Sequence, residues 1–191
     1  AQTSLSTNIL KYKLADGSSY IDVCIEIPST QMEIELIDSV YSSKIDIVIT
    51  AESSGELVLV RKVNLVGPKT SDSLIAYTGS HFHLERIKLK HGSYSITSEV
   101  GDISVVDQIN ISVGDMPEIS DIMLVEAYAK VNQGEESELS RSGMDIVPLV
   151  DTRISPNATQ ARFYVELYNI DKVVGLDTLF LMSFGFTGGD G

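Results

Sequence analysis

His81-Phe82-His83 is the sharpest local arrangement of chemistry-bearing side chains in the sequence. On a strand, residues i and i+2 project to the same side, so both imidazoles could ligate one metal ion, with Glu85 on the same face as a third ligand. The alternative is an ordinary strand whose histidines face solvent while Phe82, Leu84 and Ile87 are buried opposite. His91 sits beside Gly92 in a turn signal and reads as a surface residue. Cys24 alternates with Asp22 and Glu26, and neighbouring carboxylates disfavour a thiolate, so the reading is an inert cysteine and not a nucleophile. No Gly-x-Ser-x-Gly, P-loop, Gly-x-Gly-x-x-Gly or Asp-x-Asp-x-Asp-Gly pattern occurs. Paired carboxylates for glycoside hydrolysis are not excluded by a chain with 27 acids, yet these acids alternate along strands as solvated faces do. No catalytic residue and no cofactor is assigned. The chain reads as a non-enzyme.

Composition narrows the partners. With 27 Asp and Glu against 14 Lys and Arg, the formal charge is −13, which argues against nucleic acid, whose phosphates require a basic field. No apolar run approaches the length of a membrane span, so no membrane insertion is expected. One cysteine rules out an intrachain disulfide framework. The absence of Trp removes the commonest sugar-stacking platform, although Tyr12, Tyr20, Tyr77 and Tyr94 could serve a glycan-binding or adhesin module.

The elements that must position these residues are strands. Ile21, Val23, Ile25 and Ile27 share one face of Tyr20–Ile27, while Asp22, Cys24 and Glu26 share the other. The same alternation runs through Glu33–Ile37 and Lys44–Glu52 and, less regularly, Glu56–Val66, His81–Leu89, Ser93–Val100 and Ile103–Val113. Half-buried antiparallel strands with one wet and one dry face have this pattern. Turn residues punctuate it at Asp16-Gly17, Ser54-Gly55, Gly67-Pro68, His91-Gly92 and Gly101-Asp102. Residues 68–79 read as a loop, and helix is expected to be marginal.

Proline at position 117, after Gly114-Asp115-Met116, cannot donate to a sheet ladder and marks a boundary. The expected fold is therefore all-β, with two antiparallel β-sandwich (immunoglobulin-like) domains over residues 1–115 and 118–191. In the second, strands are expected at Ile119–Tyr128, Asp145–Val150, Ala161–Ile170 and Asp177–Phe186, with an acidic loop at 132–142. Phe180, Met182, Phe184 and Phe186 share one face of the last strand and are the candidate protein interface, because an unpaired edge strand is a docking site or a liability. The expectation is that the polypeptide continues past Gly191 or that another chain completes this half. A start at Ala1-Gln2-Thr3-Ser4 reads as the product of signal-peptide cleavage, hence export.

Several stretches taken together resemble the N-terminal sandwich region of Bacteroidota envelope proteins known as GWxTD domain-containing proteins. They are Leu10-Lys11-Tyr12, Ser19 to Pro28, Phe82-His83-Leu84-Glu85-Arg86, His91-Gly92-Ser93-Tyr94, Ile119-Ser120-Asp121-Ile122, Gly143 to Pro148, and Phe163 to Asn169. The order of the pieces spans nearly the whole chain, although the family's Gly-Trp-x-Thr-Asp motif would lie further on. The resemblance implies an exported protein of the periplasm or cell surface, two sandwich-like modules and no assigned catalytic residues. It also implies O-glycosylation at Asp-Ser/Thr followed by an aliphatic residue, which Ser39, Ser73 and Thr178 satisfy. An exposed loop favours Ser73.

Overall fold

Two-residue turns in the left-handed region set the hairpins. Asp38 and Ser39 have φ of 50° and 63°, and Ser54 and Gly55 have 54° and 80°, a geometry whose twist matches that of the flanking strands. The computed structural model describes residues 5–14, 16–112, 114, 116–132, 134–155 and 157–185. In chain order the strands of the first half are β1 (Ser6–Lys13), β2 (Ser19–Pro28), β3 (Glu33–Ile37), β4 (Val40–Ser53), β5 (Glu56–Val66), β6 (Ser80–Leu89), β7 (Gly92–Val100) and β8 (Ile103–Ile111). They are followed by β9 (Glu118–Ile119), β10 (Met123–Lys130), β11 (Ser140–Arg141), β12 (Met144–Pro148), β13 (Phe163–Tyr164) and β14 (Leu167–Tyr168). The fold is all-β and every named pairing is antiparallel.

One sheet has the order β1-β2-β6, and a second joins β3, β4, β5, β7 and β8. Between them lies an aliphatic core. Ile21, Val23, Ile25 and Ile27 of β2 meet Ile47, Ile49 and Ala51 of β4, with Ile96 and Val100 of β7. The even-numbered alternation expected of β2 is present, but its other face is not wet. Asp22 and Cys24 are both fully buried, because the second half of the chain lies over them. There β10 pairs with β12 and β13, and β11 with β12. Met123, Ile146 and Val150 pack with Leu10, Tyr12, Tyr20, Cys24 and Leu84 in a second buried cluster. The β1-β2-β6 sheet is thus the middle layer of three.

Four further expectations change. Ala161–Ile170 is not one strand but the two short strands β13 and β14, which pair with different partners, β10 and β9. Residues 68–79 are not wholly a loop: Ser73–Thr78 form the helix α1, whose N-cap Asp72 accepts a hydrogen bond from the Leu74 amide at 2.8 Å. Ile119–Tyr128 is split into β9 and β10 by Ser120 to Ile122, where Ser120 turns to bond Glu166. The described part of Asp177–Phe186 belongs to no strand. Two-residue alternation is not enough for a strand, which also requires a partner on its edge, and among the described residues none pairs with this segment. Phe186 lies outside the described residues.

Candidate functional site

The alternation of β6 puts His81, His83 and Glu85 on one side, as expected, but Ile87, expected opposite them, lies on that same side with Leu89 in the aliphatic core, because residues an even number apart share a face. Phe82 and Leu84 point the other way, into the second cluster. The two imidazoles have different partners. His81 Nε2 lies 3.2 Å from Ser29 Oγ, while His83 Nε2 is 3.6 Å from Glu85 Oε2. Glu85 is also shared with Arg61, at 3.4 Å. Burial holds both histidines below their ordinary pKa, with Glu85 acting against that shift at His83. They are therefore neutral at pH 7. Among the described residues, no three His, Cys, Asp or Glu side chains are grouped to hold a metal ion.

Beside His81 a cavity of about 360 Å³ opens between α1, the start of β6 and the end of β5. Tyr41, Ser42, Ser43, Thr70, His81 and Phe82 are among its walls, and no Asp, Glu, Lys or Arg lines it. Gly67 makes the close approach possible here: a Cβ would come within 2.1 Å of Ser43 Oγ and 2.5 Å of His81 Cε1. Tyr41 meets Tyr77 of α1 edge-on, with ring centres 5.9 Å apart.

The densest electrostatic arrangement was not singled out from sequence. On the outer face of β2, the Asp22 carboxylate receives Arg86 Nε at 2.9 Å and is ion-paired with Arg141 of β11. Arg141 donates to the Tyr20 hydroxyl at 2.7 Å. Its guanidinium carbon lies 4.3 Å from the ring centre of Tyr12, 5.7 Å from Tyr20 and 6.0 Å from Tyr164. A single buried carboxylate thus faces two guanidiniums, and the tyrosine faces supply the remaining negative potential. Nearby, Tyr164 and Tyr168 both donate to Glu166, at 2.6 and 2.5 Å, and Lys13 pairs with Glu118.

Burial raises the phenol pKa of Tyr12 and Tyr168 and pushes that of Tyr164 up to about 12. These hydroxyls stay protonated. Desolvation likewise pushes the Cys24 thiol up to about 12, and with no exposed surface it is neither a nucleophile nor a redox site. The cluster fastens the second half of the chain to the outer face of β2 through Asp22, Arg141, Tyr12 and Tyr20. The available sequence signal was the run of Tyr20, Asp22 and Cys24 on one strand face, with Arg86 directly opposite Asp22 in the β2–β6 register.

Phe180, Met182 and Phe184, the interface candidates of the sequence, are 52%, 39% and 51% exposed. The opposite side of that segment is barer still, with Leu179 at 99% and Leu181 at 90%. Phe184 leans on Phe163, ring centres 4.9 Å apart. Of the glycosylation candidates, Ser39 sits on the β3–β4 turn, Ser73 is the first residue of α1 and Thr178 lies before Leu179; all three are exposed. Compared with family models, with curated proteins and with solved structures, the chain has no match.

Proposed function

We propose that the chain is a non-enzymatic, exported interaction protein, a subunit or accessory of a larger cell-envelope or surface assembly. One observation carries the reading: the segment from Leu176 to Gly185, which belongs to no strand, presents Leu176, Leu179 and Leu181 to solvent at 80%, 99% and 90%. An apolar segment left exposed outside any sheet is suited to protein recognition. The resemblance set out above supplies the compartment. The partner is a protein or further copies of the chain. Pull-down of the native protein from cross-linked envelopes is expected to recover a stoichiometric partner, lost in the Leu179→Lys/Leu181→Lys variant. A monodisperse monomer with nothing recovered overturns the reading.

A second reading, a carbohydrate-binding or adhesin module, is favoured by the cavity beside His81. Its walls are uncharged and rich in hydroxyls, which can donate or accept toward a neutral sugar. A glycan-array signal lost on Tyr41→Ala supports it, and an array without signal removes it.

A further inference from the structure

Three strands change character at one end of the sandwich. The inward face of β4 runs from Ala51, Ile49 and Ile47 to Ser43 and Tyr41, and that of β6 from Leu89 and Ile87 to His81. The inward positions of β2 end at Ile27, and the next is Ser29. These polar side chains meet in the cavity of about 360 Å³ beside His81. Ser43 and His81 each keep a polar atom unpartnered among the described residues. Ser43 is 6% exposed, yet its hydroxyl makes no hydrogen bond. The contact of His81 Nε2 with Ser29 Oγ, at 3.2 Å, leaves the Nδ1 edge of the ring beside Gly67. A Cβ on Gly67 would lie 2.1 Å from Ser43 Oγ and 3.0 Å from Nδ1, so the two atoms are close enough for one ligand oxygen to reach both. A hydroxyl buried without a partner is a cost to the free protein that a bound ligand removes.

We propose that the cavity binds one uncharged sugar residue, with Ser43 and His81 bonding its hydroxyls, the Tyr41 ring and Ile75 packing on its C–H face, and Ser29 positioning the imidazole. The inference rests on the carbohydrate reading above and adds the size and charge of what is bound. No Asp, Glu, Lys or Arg is among the lining residues, so a carboxylate or ammonium group brought here would lose water without gaining a counter-charge. A volume near the lower end of the range for small-molecule sites, about 300–1,000 Å³, admits a single ring and not an extended chain. Ile75 and Ala76 of α1 bound the space on one side. The segment before α1 is tied down where Tyr41 and Thr70 exchange backbone hydrogen bonds of 2.7 and 3.2 Å.

Saturation-transfer NMR and calorimetry on the native chain, with the methyl glycosides of glucose, galactose, mannose and N-acetylglucosamine, are expected to show binding of at least one. The methyl glycosides of glucuronic acid and glucosamine should bind more weakly by about tenfold or more. Ser43→Ala should weaken binding by about five- to tenfold, the loss of one hydrogen bond. Its thermal midpoint should hold or rise, because the free protein loses only an unpaired hydroxyl. His81→Phe, which keeps a ring and removes both nitrogens, should weaken binding at least as much. Binding unchanged in both variants overturns the proposal, as does a charged glycoside bound as tightly as a neutral one. Array binding lost on Tyr41→Ala, with no methyl glycoside bound, overturns the single uncharged residue alone and leaves the carbohydrate reading standing. No signal in either assay overturns both, the cavity then holding water only.

Discussion

Along β2 the two faces of the β1-β2-β6 sheet are both buried, and they are chemically unlike. Toward β4 and β7 the sheet presents Ile21, Val23, Ile25 and Ile27, all without exposed surface, against other aliphatic chains. Toward the second half it presents Tyr12, Tyr20, Asp22 and Cys24, joined to Arg86, Arg141 and Tyr164. The first face needs only volume and patterning, and dispersion and water exclusion hold it. The second needs direction, because a buried carboxylate is tolerable only when its partners sit at hydrogen-bonding geometry. The aliphatic interface therefore builds the sandwich, and the polar one selects how the second half is laid upon it. That arrangement permits one docking and penalises others, since any displacement strands Asp22 or a guanidinium without a partner.

The comparison breaks first at Asp22. Asp22→Ala leaves the buried Arg141 guanidinium without its carboxylate and is expected to cost about 3–5 kcal/mol in urea unfolding. If the cluster serves specificity, a triple replacement of Asp22, Arg86 and Arg141 by apolar residues of similar volume should recover most of that loss. A triple variant no more stable than Asp22→Ala would show that the pair contributes net stability. Ile25→Ala probes the aliphatic face, where a cavity is left and nothing is stranded; about 2–5 kcal/mol is expected by the same measurement.

Each side of the sheet also meets a buried hydroxyl without a hydrogen-bond partner, Tyr12 on its own outer face and Ser98 of β7 in the sheet packed against its inner face. Tyr12→Phe and Ser98→Ala should each stabilise, by about 1 kcal/mol in thermal or urea unfolding, and a loss at either site would reveal a partner, such as an ordered water.

The smallest effect is a pH dependence at the sandwich rim. Burial depresses the folded-state pKa of His81 and His83 below the model-compound value of 6.5. The unfolded chain then binds more protons than the folded one once the pH falls below about 6.5, so stability declines from there until the folded-state histidines also titrate. The urea midpoint of the native chain should fall between pH 7.5 and 5.5, and it should fall less in His81→Gln/His83→Gln. Equal slopes would place the dependence on carboxylates instead.

Much of the first half was legible because strand alternation and turn residues are local signals. Ser54-Gly55 and Gly101-Asp102 fall at hairpin turns, with φ of 80° at Gly55 and 58° at Gly101. The face assignment of β2 and the shared side of His81, His83 and Glu85 follow from the two-residue period alone. What went unread depends on which element covers which. Asp22 and Cys24 alternate like a solvated face whether or not anything lies above them. Residues 177–185 alternate like a strand whether or not an edge is offered. Sharing a side of β6 does not reveal that His81 meets Ser29 while His83 meets Glu85.

The sequence by itself determined the all-β class, the positions of most strands in the first half and the aliphatic face of the sandwich, because side-chain period and turn propensity act within a few residues. Only the tertiary structure decided that the opposite face would also be dry. It also decided that Asp22 would gather Arg86 from the neighbouring strand and Arg141 from a strand far along the chain. Burial and ion pairing there depend on contacts between segments more than a hundred residues apart, as in the Tyr20–Arg141 hydrogen bond, and no local pattern encodes which of those segments meet.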